Sequence, residues 1–537
     1  MIDAWLADTQ NRIYPTTLPV RSGDQPWLEL ARGERGSLQV GFRSSATSGI
    51  ALIEVDAPDG LAVTVRRVGF VPVHHFNVET PASDLEGPGA LPGLVPDPLF
   101  PDPETHFGPY ETNAFWITVA PDKELPAGRY PVRLEVVVQA ETETRIPLET
   151  AVVVRNVVLP AREDFAAAHI LHADALCDYY GVDPFSEAFW QILEPYVRDY
   201  TDHGMDCLLV PLITPPLDGV KRPIQLLGVT GDGGRYEFDW TQVLRWIRLA
   251  RKYGVRVFEW THLFTQWGVE HAARIYQGHG ETEQLLWPDG TPATAPEFRA
   301  FLDALMPELR RVLETEGILG QSLFHISDEP ESEHRDNYRV ARKIMREVAP
   351  WATVIDSLSD VEFAREGLVD IPVPQVDSAP SFREQGFDSW VYYCCVPRGR
   401  YLNKFLDTPL AKIRMSGWLF HRDGAGGFGH WGYNYWYQGG TRTLIDPFTV
   451  NDAGKWPQWG PGDPFVVYPG EHGPIDSLRW EVFAESLQDL ALLQSYGHHA
   501  TRLDEIEDYA EFPRDPSWVR QRRSEIFDAI DAIDAEQ

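Results

Sequence analysis

Phe324-His325-Ile326-Ser327-Asp328-Glu329-Pro330 is the stretch on which the fold turns. Its apolar start, Leu323 to Ile326, has the length and composition of a short buried strand. It ends in two carboxylates and a proline, a residue favoured in the first turn of a helix. The amphipathic pattern Glu331–Ala349 then completes a strand–loop–helix unit. Outward from this unit the same grammar recurs. Strand candidates stand at Ala168–His172, Cys207–Pro211, Arg256–His262, Leu323–Ser327, Thr353–Leu358, Val369–Gln375, Trp390–Val396 and Gly427–Asn434. Helical patterns fall between several of them, clearest at Ser186–His203, Trp240–Tyr253, Pro296–Glu316, Glu331–Ala349 and Leu402–Lys412. Alternating short strands and helices predict a parallel sheet, and eight such units predict a (β/α)8 barrel. The tail from Ile475 onward reads as mostly helical.

Ahead of Leu159-Pro160 the period is different. Gly36–Phe42, Gly49–Val55, Leu61–Val68, Ala114–Val119 and Tyr130–Val138 are short and rich in Val, Ile, Leu and aromatics. Turn clusters such as Ala57-Pro-Asp-Gly60 and Leu125-Pro-Ala-Gly128 separate them, which predicts an antiparallel sandwich. Pro81–Pro109 is crowded with Pro and Gly and reads as a long loop. The expected fold class is therefore α/β: a TIM-type (β/α)8 barrel over 161–537, preceded by an antiparallel β-sandwich over 1–160.

Composition narrows the function. Acidic residues number 80 against 47 basic, a formal charge of −33. A polyanion or an anionic membrane would be repelled, so neither nucleic acid nor membrane is an expected partner. No apolar run reaches the length of a spanning helix, and the N-terminus shows no signal-peptide pattern. The four cysteines, Cys177, Cys207, Cys394 and Cys395, have neither metal nor disulfide-framework spacing. A cytoplasmic location is the expectation, with a homo-oligomer left open. Aromatics reach 12%, including 18 Trp, and sugar rings offer apolar faces for such side chains to stack on.

In a barrel the active site lies at the C-terminal ends of the strands. The polar residues there are His172 and Asp174, then Glu259, Trp260 and His262, then Ser327, Asp328 and Glu329. Asp356, Asp377, Tyr392 and Tyr393 follow, and the last strand brings His430, Trp431, Asn434, Tyr435 and Trp436. The adjacent Asp328 and Glu329 are the sharpest feature. Two charged carboxylates at one strand end repel, so one tends to keep its proton, as a general acid must. The same pair also fits a helix N-cap followed by a first-turn Glu; the aromatic rim tips the reading toward glycosidase chemistry.

Glycosidases usually place two carboxylates on either side of the scissile bond. The seventh strand, Trp390-Val-Tyr-Tyr-Cys-Cys-Val396, carries neither Asp nor Glu. Asp356, Asp377 or Glu259 could supply the partner. Alternatively the substrate supplies its own nucleophile, the carbonyl oxygen of a 2-acetamido group. Asp328 then orients that group while Glu329 protonates the leaving oxygen. His169, His172, His262 and His325 lack the paired spacing of metal ligands, so neither metal nor cofactor is expected. His262 and Trp260 read as substrate-site residues.

Several runs together carry a resemblance: Asp328-Glu329-Pro330, Trp390-Val-Tyr-Tyr-Cys394, Arg414-Met-Ser-Gly-Trp418, Gly427-Phe-Gly-His-Trp-Gly-Tyr-Asn-Tyr-Trp436, Val467-Tyr-Pro-Gly470 and Ser477-Leu-Arg-Trp-Glu481. With them the chain resembles glycoside hydrolase family 123 and the wider group around domain of unknown function 4091. The resemblance implies a retaining, exo-acting β-N-acetylgalactosaminidase that uses substrate-assisted catalysis. It implies Asp328 as the acetamido-orienting residue and Glu329 as the acid/base. It further implies Tyr393 as a ligand of the acetamido carbonyl, Trp418, Trp431 and Trp436 as pocket walls, and Asn434 as a hydroxyl ligand. The expected partner is thus an oligosaccharide or glycoside. The alternatives are a glycosidase for a non-acetamido sugar, pairing Glu329 with a separate carboxylate, and a non-catalytic carbohydrate-binding barrel.

Overall fold

The computed structural model describes residues 2–20, 27–86, 92–217, 224–232, 234–278 and 283–536. The N-terminal region forms two sheets. One runs in the order Ile2–Ala7, Gly36–Ser44, Thr112–Pro121, Leu61–Val73, Gly93–Phe100, Gly473–Ser477 and Tyr468–Gly470. The other runs Leu28–Arg32, Glu143–Val158, Gly128–Gln139, Gly49–Asp56 and Glu104–Phe107. Every pair is antiparallel except Leu28–Arg32 with Glu143–Val158, which is parallel. Alternating residues of both sheets bury a dry core that includes Phe42, Phe115, Ile117, Val132, Leu134 and Val136.

Two features depart from the sequence reading. The stretch Pro81–Pro109 is not one loop: it holds the strands Gly93–Phe100 and Glu104–Phe107, with residues 87–91 outside the described residues. Pro96 and Pro98 hide the first of these, because proline is a poor central-strand residue. Next to Pro96 the partner strand shifts register between Val68 and Phe70, the local irregularity in which a proline is accommodated. The second departure is that the sandwich borrows from the far end of the chain. Gly473–Ser477 pairs with Gly93–Phe100, and the fully buried ion pair Arg479–Asp97, at 3.0 Å, lies beside this join.

Beyond residue 160 eight short parallel strands follow, labelled here β1 to β8. They are β1 Ala166–His169, β2 Cys207–Val210, β3 Val257–Trp260, β4 Ser322–Phe324, β5 Thr353–Ser357, β6 Ile371–Val373, β7 Val391–Tyr392 and β8 Gly427–His430. One sheet runs β2-β3-β4-β5-β6 and another β1-β8-β7. Backbone bonds from Trp390 to Pro372 and from Tyr392 to Pro374 join β6 to β7. The Asp206 N–H to Ala167 carbonyl bond links β2 to β1. Each strand is followed by helix. The best formed are Glu187–Asp202, Thr241–Tyr253, Pro296–Glu316, Arg335–Val348 and Leu478–Tyr496, and Ser517–Glu536 ends the chain.

Three expected boundaries move. The helix after β4 begins at Arg335 rather than at Pro330, behind a 3-10 turn at Ser332–His334. The helix expected at Leu402–Lys412 is confined to Leu410–Arg414, because Pro409 disfavours helix in the residue before it. The tail's first segment is the strand Gly473–Ser477, so its helix starts at Leu478.

Candidate active site

The strand alternation of side chains decides what enters the site. On β7 and the residues around it, Trp390, Tyr392 and Cys394 face inward with Ala166, Ala168, Cys207, Leu323, Ile355 and Val373. Val391 and Tyr393 face outward, into the layer packed by helices. Gly427 on β8 makes room for the first of these: a Cβ there would lie 2.4 Å from the Trp390 indole. On β3 Glu259 faces inward, whereas Phe258 and Trp260 join the outer core and Trp260 stacks on Phe324.

At the C-terminal ends of these strands is a cavity of about 440 Å³, a size suited to a small ligand. Asp328 and Glu329 open into it, together with Glu259, His262, His325, Tyr392, Trp390, Trp431, Trp459, Trp267 and Gln266. Glu329 sits at φ 47°, a left-handed backbone that non-glycine residues seldom adopt and that often marks a functional site. Its N–H donates to the Ser357 carbonyl at 2.9 Å. Its Oε1 accepts from the Tyr392 hydroxyl at 2.5 Å, and Gln375 Nε2 donates to that hydroxyl at 3.1 Å. The Asp328 carboxylate accepts from Gln266 Nε2 at 3.0 Å, and its backbone carbonyl accepts from the Trp267 N–H at 2.9 Å. The two carboxylates are thus held by different strands' loops, Glu329 from β5 to β7 and Asp328 from β3. Because the helix begins only at Arg335, Asp328 is not its N-cap.

Beneath this pair lies a charged array. His325 Nδ1 is 3.2 Å from Asp356, its Nε2 is 4.0 Å from Glu259, and its ring stacks on His262 at 4.3 Å. Burial pulls the His325 pKa down, but the Asp356 hydrogen bond and both carboxylate charges outweigh it, and the net shift is upward. Burial raises Glu259, with His325 opposing. Asp356 also accepts from the backbone N–H groups of Ile326 and Ser327 and from the Tyr338 hydroxyl. It is a fully buried brace under the β4 turn, not a wall of the cavity. Asp377 is exposed and outside the cavity. His262, His325 and Asp356 offer ligand atoms close enough for a metal, but the Asp356 oxygens are already taken up by four donors.

Of the residues expected to bind substrate, the cavity takes Trp431 and His262. Tyr393, Trp418, Asn434, Trp436 and Trp260 do not line it. Tyr393 is displaced by one residue of register, and Tyr392 takes the inward position. Trp418 donates its indole N–H to Asp489 at 3.1 Å, and Trp436 donates to the Val467 carbonyl at 3.2 Å. Asn434 clamps the backbone of His172 through both ends of its amide, so it is structural. Each of these five is buried.

Sequence reading missed Trp267, Gln266, Trp390 and Trp459 as site residues. Trp267 is 55% exposed, unusual for a Trp unless a ligand covers it. It belongs to the segment after β3, which carries no motif to announce it. Trp390 was within reach, since inward Tyr392 places it on the same face.

A cavity at the strand ends, walled by Trp rings and carrying paired carboxylates on a strained turn, defines a glycoside hydrolase by class. The chain belongs to glycoside hydrolase family 123: the family described as "Glycoside hydrolase 123, catalytic domain" matches residues 171–496. Among solved structures, a family 123 glycoside hydrolase from Clostridium perfringens, studied for glycolipid glycan hydrolysis, aligns with a TM-score of 0.75 at 15% identity. That alignment covers 100% of this chain and 99% of that chain, and it speaks to the fold. A Bacteroides ovatus GH5 xyloglucanase aligns with a TM-score of only 0.33 at 10% identity, over 86% of this chain and 97% of its own. No curated protein matches.

Proposed function

We propose that this family 123 enzyme removes a terminal β-linked N-acetylhexosamine, best read as N-acetylgalactosamine, with retention and by substrate-assisted catalysis. The observation that carries the reading is the division of contacts between Asp328 and Glu329. Both open into one cavity, and β7 offers a tyrosine where a protein nucleophile is otherwise expected. In this reading the acetamido oxygen attacks the anomeric carbon while Glu329 protonates the departing oxygen. Asp328 holds the acetamido N–H and stabilises the positive charge that develops on the ring so formed. Glu329 then takes a proton from the water that opens that ring. Tyr392 keeps the Glu329 carboxyl in place through its hydroxyl, a different part from the acetamido contact that the resemblance gave to Tyr393. Trp431, Trp459 and Trp267 offer apolar faces to the sugar and its aglycone.

The same proposal treats the eight parallel strands as a closed (β/α)8 barrel. Its support is the backbone bonding at both seams, β6 to β7 and β2 to β1. Cytoplasmic action on small glycosides is also part of it, supported by the thiol state of Cys207, Cys394 and Cys395.

Glu259 favours one second reading, because it is the further carboxylate in the cavity. In that case Glu329 and Glu259 would act as a conventional pair on a sugar without an acetamido group. Matched aryl 2-acetamido and 2-hydroxy glycosides separate the two. The proposal expects cleavage of the first far faster than the second, and equal rates would contradict it.

A further inference from the structure

We infer that Cys394 and Cys395 form a dithiol modification site in the wall of the glycan cavity, which closes to a vicinal disulfide when a small-molecule disulfide is the oxidant. The two Sγ atoms are 3.7 Å apart, and both residues line the cavity that holds Glu329. Cys394 points inward with Trp390 and Tyr392, while Cys395 is partly exposed. The backbone that presents them is anchored on each side. Asn403 Nδ2 donates to the carbonyls of Cys394 at 2.7 Å and Pro397 at 3.1 Å, and Arg398 Nε donates to the Cys395 carbonyl at 2.7 Å. The Cys394 N–H donates to the Val396 carbonyl at 2.9 Å, so the chain turns tightly there. A bond requires the sulfurs to approach to about 2.05 Å, a movement that side-chain rotation on this fixed turn has to supply.

The chemistry balances without any group inside the protein. The Cys395 thiol, the more exposed, loses its proton to water and its sulfur attacks one sulfur of the small disulfide. A mixed disulfide forms and one small thiol leaves. The Cys394 thiol then loses its proton and attacks Cys395 Sγ, expelling the second small thiol. Two protein thiols are oxidised and one small disulfide is reduced to two thiols. The hydrogen bond to Cys395, burial and the nearby Glu329 charge all raise the Cys394 pKa well above its ordinary value. The closing step should therefore be slow at neutral pH and quicken as pH rises. Cys177 and Cys207, each fully buried, serve as internal controls.

The thiol chemistry stands apart from the substrate reading; its effect on turnover rests on that reading. The test incubates the native full-length chain with oxidised glutathione and weighs the peptide carrying residues 394–395. The expected product has lost two hydrogens and carries no glutathione, and dithiothreitol restores the original mass. Cys394→Ser should trap glutathione on Cys395, whereas Cys395→Ser should leave residue 394 unmodified. Glycosidase activity should fall with oxidation and return on reduction. An unchanged peptide, or a stable glutathione adduct on Cys395 of the native chain, overturns the proposal whatever the substrate proves to be. If the mass changes as expected while the untreated enzyme cleaves no glycoside, the functional reading fails and the dithiol site stands.

Discussion

The interior of the sandwich and the cavity at the ends of the parallel strands are built on opposite principles. Between the two sheets, Phe42, Phe107 and Phe115 meet edge-on and stacked at 5.6 and 5.8 Å, surrounded by Val, Ile and Leu. That core is stable because apolar area leaves water and its side chains pack closely. At the mouth of the cavity the chain instead keeps Glu329 at a positive φ and buries Glu259, His325 and Asp356 together. Such an arrangement costs stability locally and gains a fixed geometry. The difference teaches that substitutions in the two regions should fail in different ways: the sandwich through folding, the mouth through chemistry.

The largest expected effect is at Glu329. Glu329→Gln should lower turnover on the order of 10²–10⁴-fold while the melting temperature barely changes; a large fall in stability with activity retained would break the comparison. Phe115→Ala is its opposite. It should cost about 3–5 kcal/mol of stability and leave kcat/KM of the folded fraction unaltered, as urea unfolding and steady-state kinetics can show. Tyr392 of β7 and its neighbour Tyr393 sharpen the contrast within one short segment. Tyr392→Phe removes the hydrogen bond to Glu329 and should slow turnover about tenfold, near the worth of one bond to a charged group. Tyr393→Phe should leave turnover unchanged, because that hydroxyl lies outside the cavity. The reverse outcome would mean that the strand's register is shifted by one.

The most gradual effect concerns pH. Asp463, which accepts the Trp431 indole N–H at 2.9 Å, is pushed up to about 7 by burial, with the Lys404 charge opposing. A carboxyl with a raised folded pKa adds stability below its ordinary pKa near 4, and that contribution is lost as pH rises through 7. Asp463→Asn removes the titration but keeps an acceptor. Between pH 5 and 8 wild type should therefore lose stability relative to Asp463→Asn, by about 1.4 kcal/mol per pH unit until the carboxyl has titrated. Parallel pH curves would contradict this.

Much of the architecture was legible because apolar period is a backbone-level signal. All eight parallel strands fall within or beside the segments read from Ala168–His172 to Gly427–Asn434. The Asp328-Glu329 turn was legible too, since an apolar run gives way there to two adjacent carboxylates and a proline. What failed was side-chain direction. Tyr392 and Tyr393 are chemically alike, and a one-residue step on a strand exchanges inside for outside. Trp418, Trp436 and Asn434 sit in runs that carry the family resemblance, yet their polar atoms are engaged in holding helices and loops together. Trp267 was invisible because nothing in a loop's sequence encodes which cavity it will border. The strand Gly93–Phe100 was hidden by prolines that it accommodates beside a register shift.

The central claim is that the acetamido oxygen of the substrate is the nucleophile. The measurement that tests it most directly is turnover of aryl 2-acetamido glycosides bearing none, one, two or three fluorines on the N-acyl methyl. Each fluorine withdraws electron density from the attacking oxygen, so log kcat/KM should fall steadily along the series. A rate that does not change with fluorination would contradict the account and direct attention to Glu259 as the protein nucleophile.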